Sequence, residues 1–280
     1  MDIIELLKYL ALGLIQGVTE PLPVSSSGHM VILNSIFGEI LSSADMNNFQ
    51  IITNLASLLA IVFYYRQLIK QIAAGSWRYL IKKDKEYQGD FKYLIYIIIA
   101  TIPAGVIGII IKLLELDTYY TNIVCVGICL FITGNLLLYT HRVAPHAERD
   151  DITLKDSLLM GGAQVIGLLP GISRSGVTTS FGVGNKVKLD KAFRFSFLMY
   201  IPASVGAAAI GVYDLTKLSH SDNAVFIPGY IGAFVVSLIA TYFAIWLFFK
   251  LIKNRNLKYF GYYCLAASLV VMALVVAGVF

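Results

Sequence analysis

Charge is what this sequence has least of: Asp, Glu, Lys and Arg make up 14% of its 280 residues, against about 25% in soluble domains. With 58% of residues apolar and a mean hydropathy of +0.74, that scarcity excludes a soluble globular chain and leaves no room for a sizeable extramembrane domain. Cysteine is nearly absent too. Cys125, Cys129 and Cys264 all sit in apolar runs, an odd set matching neither a disulfide framework nor a paired metal-ligand motif, so packing is their expected role. The N-terminus, MDIIELLKYLALG, carries acids where a secretory signal carries basic residues and ends in no small-residue cleavage pattern. Nothing is expected to be removed from it.

What the chain has in abundance is hydrophobic length. Runs at 46–66, 91–113, 119–140, 191–213, 226–250 and 259–279 each reach the roughly 20 residues that one bilayer crossing needs. Two further apolar pieces, 3–18 and 153–169, are followed by Pro/Gly/Ser-rich breaks and short second helices near 28–38 and 176–185. Non-helical backbone at membrane depth must be sheltered by protein or line a watery cavity, so both pieces are expected to be re-entrant hairpins, 3–38 and 153–185, sharing one cavity.

Comparison at an offset of 148 residues pairs Gly13 with Gly161, Gln16 with Gln164, and VSSSG (24–28) with ISRSG (172–176), with Pro23 and Pro170 nearby. The expected fold is all-α and integral to the membrane. Six transmembrane helices and two re-entrant hairpins form one domain over 1–280, made of repeat one (1–148) and repeat two (149–280). Because each unit contributes three crossings, an odd number, the second enters from the opposite face and the repeats are inverted.

Lys and Arg flank these runs unequally: 18 lie in 66–92, 142–155, 186–194 and 250–258, and three, Lys8, Lys112 and Lys217, on the other side. The positive-inside rule then places both termini and the first hairpin outside, with the second hairpin entering from the cytoplasm. The net charge of +5 is mostly this orientation signal, with some attraction to anionic lipid heads, and gives no reason to invoke nucleic acid.

The two breaks, QGVTEPLPVSSSGH (16–29) and PGISRSG (170–176), hold almost every polar group that the hydrophobic segments tolerate. An ionised side chain at depth costs at least about 2.5–3.5 kcal/mol, which makes Glu20 and Arg174 functional candidates; the competing reading is an ion pair that only ties the hairpins together. Each second half-helix points its free N–H groups and positive dipole end into the cavity. Ser25, Ser26, Ser27 and Gly28 in one break, and Ser173, Ser175 and Gly176 in the other, allow close backbone approach and add hydroxyls, although serines there are also ordinary N-caps.

Arg174 can grip phosphate through two parallel hydrogen bonds, so the expected ligand is an anion, phosphate best of all. Glu20, Ser26, His29 and Arg174 supply the parts of phosphoryl transfer: an attacking group or an activator of water, a cation for the equatorial oxygens, and an acid for the leaving oxygen. Gln16 and Glu20, one helical turn apart, offer oxygen ligands to a divalent metal if a diphosphate substrate brings the rest.

These two motifs, their separation and the hydrophobic layout resemble, over essentially the whole chain, the bacterial undecaprenyl pyrophosphate phosphatases of the bacitracin-resistance type. The resemblance implies hydrolysis of the C55 polyisoprenyl diphosphate to its monophosphate, recycling the lipid carrier of peptidoglycan and other envelope polymers. It implies dependence on a divalent metal, Mg or Ca, and action at the outer face of the bacterial cytoplasmic membrane. The family's acidic motif falls on Gln16 and Glu20, its serine motif on Ser25, Ser26, Ser27 and His29, and its arginine motif on Ser173, Arg174 and Ser175. Gln16 stands where many members have Glu, which weakens it as a charged metal ligand, and Pro21 stands where an aromatic is frequent. Glu20 is assigned to metal binding or base work and Arg174 to transition-state charge. For the attack step, Ser26 activated by His29 is preferred over a phosphorylated His29 or a direct attack by water.

Other readings compete. A transporter or flippase of a polyisoprenyl phosphate shares inverted repeats and a midplane site but gives no reason for Glu20 and His29 beside it. A type-2 phosphatidic-acid phosphatase is suggested by SGH (27–29) and the Ser173–Arg174 pair, and fails on the missing second histidine. A structural scaffold does not account for charge concentrated at one place. His141, His146 and His220 are expected in solvated loops; Tyr64, Tyr65, Tyr119, Tyr120, Tyr262 and Tyr263 are expected as interfacial anchors. The small-residue runs at 103–108 and 202–211 are expected to allow close helix packing. The expected partners are the lipid substrate and the bilayer, with a homodimer left open.

Overall fold

In the computed structural model, which describes residues 3–36, 41, 43–114, 122–217, 227–253 and 256–279, the apolar runs are α-helices, and no strand occurs among those residues. In chain order the helices are α1 (Ile3–Thr19), α2 (Ser26–Ile36), α3 (Ser43–Tyr64), α4 (Arg66–Lys82), α5 (Gln88–Leu113), α6 (Ile123–Val143), α7 (Leu154–Ile166), α8 (Arg174–Gly184), α9 (Leu189–Lys217), α10 (Ile227–Lys253) and α11 (Leu257–Val276). Helices α5, α6, α9, α10 and α11 are each long and apolar enough to cross a bilayer. The sixth crossing, expected at 46–66, qualifies only jointly with α4, and the two limbs meet at 71°. The expected residues 119–121 and His220 lie outside the described residues, as do Tyr119 and Tyr120.

Helix α4 was not expected, because 66–92 reads as a basic connection. Its buried face is short: Ile72, Gly75 and Ser76, spaced to form one stripe against α5. At Gly75 a Cβ would run into the Asp90 side chain of α5. Trp77, Leu80 and Ile81 remain exposed beside the basic residues, a mixture that hides the helical period in the sequence.

Polarity is distributed inside out. Many large apolar side chains are exposed, as on α5, where Ile98, Ile102, Val106 and Ile109 line one face, whereas hydroxyls are buried between helices. Ser57 of α3 meets Thr241 of α10 at 2.9 Å, Thr140 of α6 meets Ser180 of α8 at 2.6 Å, and Thr178 of α8 meets Ser196 of α9 at 2.6 Å. In lipid no hydrophobic driving force draws helix to helix, so close packing and such bonds, each about 0.6 kcal/mol on average, hold the bundle.

The two halves of the chain interlock rather than standing apart. Helix α1 packs along α10, α7 along α5, and α6 along α11. A Cβ on Gly13 would stand 2.7 Å from the Ala233 carbonyl oxygen, and one on Gly161 would stand 2.7 Å from that of Ala100. Gly134 and Gly261 face each other in the same reciprocal way, with distances of 2.9 and 3.0 Å to the opposite carbonyl. Each helix–break–helix piece is thus seated on the middle long helix of the other half.

Helix α7 begins with a capping box between Thr153 and Asp156. Asp156, fully buried, also takes both Arg149 guanidinium nitrogens at 2.7 Å and Asn185 Nδ2 at 2.6 Å. This cluster closes the foot of the second hairpin. Burial opposes ionisation of Asp156, but the donors from Arg149, Thr153 and Asn185 outweigh it and hold the carboxyl down to about 2.

Candidate active site

Between α1 and α2 the chain runs Glu20-Pro21-Leu22-Pro23-Val24-Ser25, and two prolines in four residues end the helix. Ser25 adopts φ 68°, the left-handed region that non-glycine residues rarely enter, and its side chain accounts for that. Its hydroxyl accepts the N–H of Gly28 at 3.3 Å, capping α2, and the N–H of Gly171 at 3.0 Å, from the other break. Gly28 is required at this junction: a Cβ there would stand 2.9 Å from the Gly171 Cα.

The second break repeats the construction. Ser173 caps α8 by accepting Gly176 N–H at 3.1 Å, and Ser173 and Ser175 lie 3.4 Å apart, as Ser25 and Ser27 do. Thr133 of α6 donates to the Gly171 carbonyl at 2.9 Å, and Cys264 of α11 points its thiol at the Pro23 carbonyl, 3.9 Å away. Each break is therefore held by α6 or α11 of the opposite half. All three cysteines are free thiols; Cys129 and Cys264 are buried and Cys125 half-buried.

Where the breaks meet, Glu20 is the hub. Its Oε2 accepts Ser26 Oγ at 2.5 Å and Gln16 Nε2 at 3.1 Å, and its Oε1 faces Arg174 Nη2 at 3.3 Å. The Glu20 and Arg174 side chains are 10% and 16% exposed, so the pair is largely withdrawn from solvent without being sealed. The Arg174 guanidinium lies over the Tyr200 ring, 4.0 Å from its centroid, which orients the fork from below. Gln16 also donates to Asn54 Oδ1 at 2.8 Å, and Tyr200 donates to the Asn54 carbonyl at 3.3 Å. Two atoms of this network are buried without a partner: Gln16 Oε1 and Arg174 Nη1. Buried orphans of this kind each cost about 1–3 kcal/mol, and both are suited to groups a substrate would bring.

His29 is arranged differently from the expected Ser26–His29 pair. Its Nδ1 lies 2.7 Å from the Ser25 carbonyl, which can only accept, so Nδ1 carries the proton. Nε2 of the neutral ring then accepts the Tyr263 hydroxyl at 2.6 Å, with the two rings parallel. Ser26 is bonded to Glu20 instead, so the carboxylate, not the imidazole, occupies the position of a base toward it.

Of the residues singled out in the sequence, Gln16, Glu20, Ser26 and Arg174 converge. Ser25 and Ser173 are spent as caps; the Ser173 N–H donates to Thr133 Oγ1 and Gly176 sits beside Leu137, both on α6, while Ser175 is buried next to Ser173. Sequence reasoning missed Asn54, Tyr200 and Tyr263. The only signal was a polar or aromatic residue inside or at the end of an apolar run, and Tyr263 was read as an interfacial anchor.

An all-helical chain with an apolar exterior, buried hydroxyls and one carboxylate–guanidinium–serine cluster at two joined helix breaks is a multi-pass membrane protein built around a polar intramembrane site. The chain belongs to the family described as bacitracin resistance protein BacA, whose model matches residues 9–270. It is 37% identical over 269 residues to the undecaprenyl-diphosphatase of Oceanobacillus iheyensis, covering 95% of this chain and 96% of that one. It is 38% identical over 267 residues to undecaprenyl-diphosphatase 2 of Bacillus thuringiensis, covering 95% and 97%. Similarity to undecaprenyl-diphosphatase 1 of Bacillus licheniformis is 37% over 273 residues, covering 97% and 99%.

Proposed function

We infer that this chain hydrolyses undecaprenyl diphosphate to undecaprenyl monophosphate and inorganic phosphate, the step that returns a lipid carrier to envelope synthesis and confers bacitracin resistance. The observation that carries the reading is Arg174 Nη1, buried and unpartnered beside the Glu20–Ser26 hydrogen bond. That arrangement leaves a cationic donor aimed where phosphoryl oxygens sit when a serine hydroxyl reaches phosphorus. Nothing observed favours a transporter of the same lipid.

Glu20 takes the Ser26 proton as Oγ attacks the terminal phosphorus, and the bond from that phosphorus to the bridging oxygen breaks, releasing the monophosphate. Arg174 holds the equatorial oxygens. The proton on Glu20 passes to the departing monophosphate oxygen; the freed carboxylate then takes a proton from water as that water attacks the phosphoserine phosphorus, and returns it to Ser26 Oγ as the bond to that oxygen breaks and inorganic phosphate leaves. His29, bonded to the Ser25 carbonyl, keeps the turn in place and presents Ser26 to Glu20.

No cluster of three or more His, Cys, Asp or Glu side chains placed to hold a metal occurs among the described residues. The donors at hand, the Glu20 carboxylate and the unpartnered Gln16 Oε1, are hard oxygens and fit Mg or Ca when a diphosphate completes the coordination. Such an ion would neutralise charge on the diphosphate. The two helix–break–helix pieces are read as re-entrant hairpins of inverted repeats, with termini outside and the site open to the outer face of the bacterial inner membrane.

The test is phosphate release from detergent-solubilised undecaprenyl diphosphate, with and without chelator. Wild type should turn over only with metal, and Glu20→Ala, Ser26→Ala and Arg174→Ala should each lose about a hundredfold or more. Wild type that binds the lipid yet releases no phosphate would end the enzyme reading. Full activity in Ser26→Ala would replace the phosphoserine step with direct attack by water.

A further inference from the structure

A cavity of about 830 Å³ lies away from Glu20, where the ends of α3, α6 and α10 meet the starts of α4, α9 and α11. Tyr65, eleven residues beyond Asn54, is about 16 Å further along at 1.5 Å per residue. Phe193, Phe197 and Phe248, all fully buried, pack between the long helices; Phe197 lies 6.0 Å from the Tyr65 ring. The cavity is therefore separate from the site described above.

Its lining is mixed in a particular way. Leu68, Phe249, Ile252 and Leu257 make apolar walls, while Tyr65, Gln67, Gln71, His141, Lys188 and Arg194 bring donors. Tyr65 was expected as an interfacial anchor, but it is 6% exposed and its hydroxyl has no partner. Lys188 is engaged by Asp150, and Asp190, also in the lining, stands 3.9 Å from Arg194, at the outer limit of an ion pair. Arg194 is thus the cation with capacity to spare. The helix ends that meet here are those flanked by the basic excess, so this rim lies at headgroup level, where anionic lipid is concentrated.

We propose that this cavity is a second lipid site, holding a phosphate-headed lipid with its head between Arg194 and the Tyr65 hydroxyl and its first methylenes against Phe249 and Ile252. A volume of this size takes a head and the start of a chain rather than a bare ion. The bilayer's phosphatidylglycerol and a polyisoprenyl monophosphate share this chemistry.

Purified, delipidated protein would be titrated with phosphatidylglycerol, phosphatidylcholine, a polyisoprenyl monophosphate and inorganic phosphate, following melting temperature and bound lipid by native mass spectrometry. Phosphatidylglycerol or the monophosphate should stabilise wild type, the larger shift identifying the source. Arg194→Gln and Tyr65→Phe should each weaken that binding about tenfold, while Arg78→Gln on α4 should leave it unchanged. Without lipid, Tyr65→Phe should melt no lower than wild type, since it deletes only an orphan hydroxyl. Equal stabilisation by phosphatidylcholine or by inorganic phosphate, or binding indifferent to both cavity variants, would overturn the proposal. Because the readout is binding, it stands or falls independently of phosphate release.

Discussion

The Ser25 hydroxyl accepts the Gly171 N–H at 3.0 Å across 146 residues of chain, and the same oxygen caps α2 through Gly28. One side chain therefore sets both the start of a helix and the meeting of the two breaks. Ser25→Ala leaves two buried N–H groups without an acceptor and should cost about 2–6 kcal/mol, at about 1–3 for each. Ser25→Gly loses the same bonds but relieves the left-handed backbone, and should be about 1 kcal/mol milder. Melting temperatures of the two variants in detergent check the order; equal losses would mean that φ at this position stores no strain.

Arg174→Lys keeps the charge and removes the fork. Lysine cannot hold Glu20, the face of Tyr200 and two phosphoryl oxygens together, so kcat/KM should fall about 10²–10³-fold. Steady-state kinetics on undecaprenyl diphosphate decide this, and a loss below tenfold would reduce Arg174 to a point charge.

Tyr263→Phe keeps the ring stacked on His29 and deletes the donor to Nε2. His29 holds the turn that presents Ser26, and without the Tyr263 bond its ring is fixed only through Nδ1. The variant should lose about tenfold in kcat/KM on undecaprenyl diphosphate, with the acid limb of the pH–rate profile unmoved because Glu20 is the base. A moved limb would make the imidazole, not the carboxylate, the base toward Ser26.

Asp156, held down to about 2, stabilises the fold fully above the unfolded carboxyl value near 3.9. That contribution, about 2 kcal/mol, is lost as pH falls from there through 2. Asp156→Ala should remove it at all pH values and, by stranding Arg149, cost about 3 kcal/mol at neutral pH. Comparing melting temperature against pH for wild type and variant tests both statements, since the two curves should converge in acid.

The membrane class, the two helix breaks and the residues gathered in them were legible in the sequence. Lipid cannot solvate a charge or a bare amide, so Glu20, Arg174, Pro23 and Pro170 within apolar runs must mark a protected interior. The match of Gly13 with Gly161 was legible as well, and both glycines prove to be places where a helix backbone meets an alanine carbonyl. Helix α4 was not legible, because its buried stripe is three residues wide and basic residues surround it.

Local composition thus settled where this chain is helical, where the helices break and which polar groups lie at depth, because solvation and backbone stiffness act over a few residues. Which group touches which was decided by tertiary packing. That Ser26 answers to Glu20 and not to His29, that Ser25 is consumed as a cap, and that Tyr263 reaches His29 across 234 residues follow from how α1, α6, α10 and α11 seat the two breaks against each other. A hydrogen bond needs its partners within a few tenths of an ångström of 2.9 Å, and only the assembled helices define positions that closely.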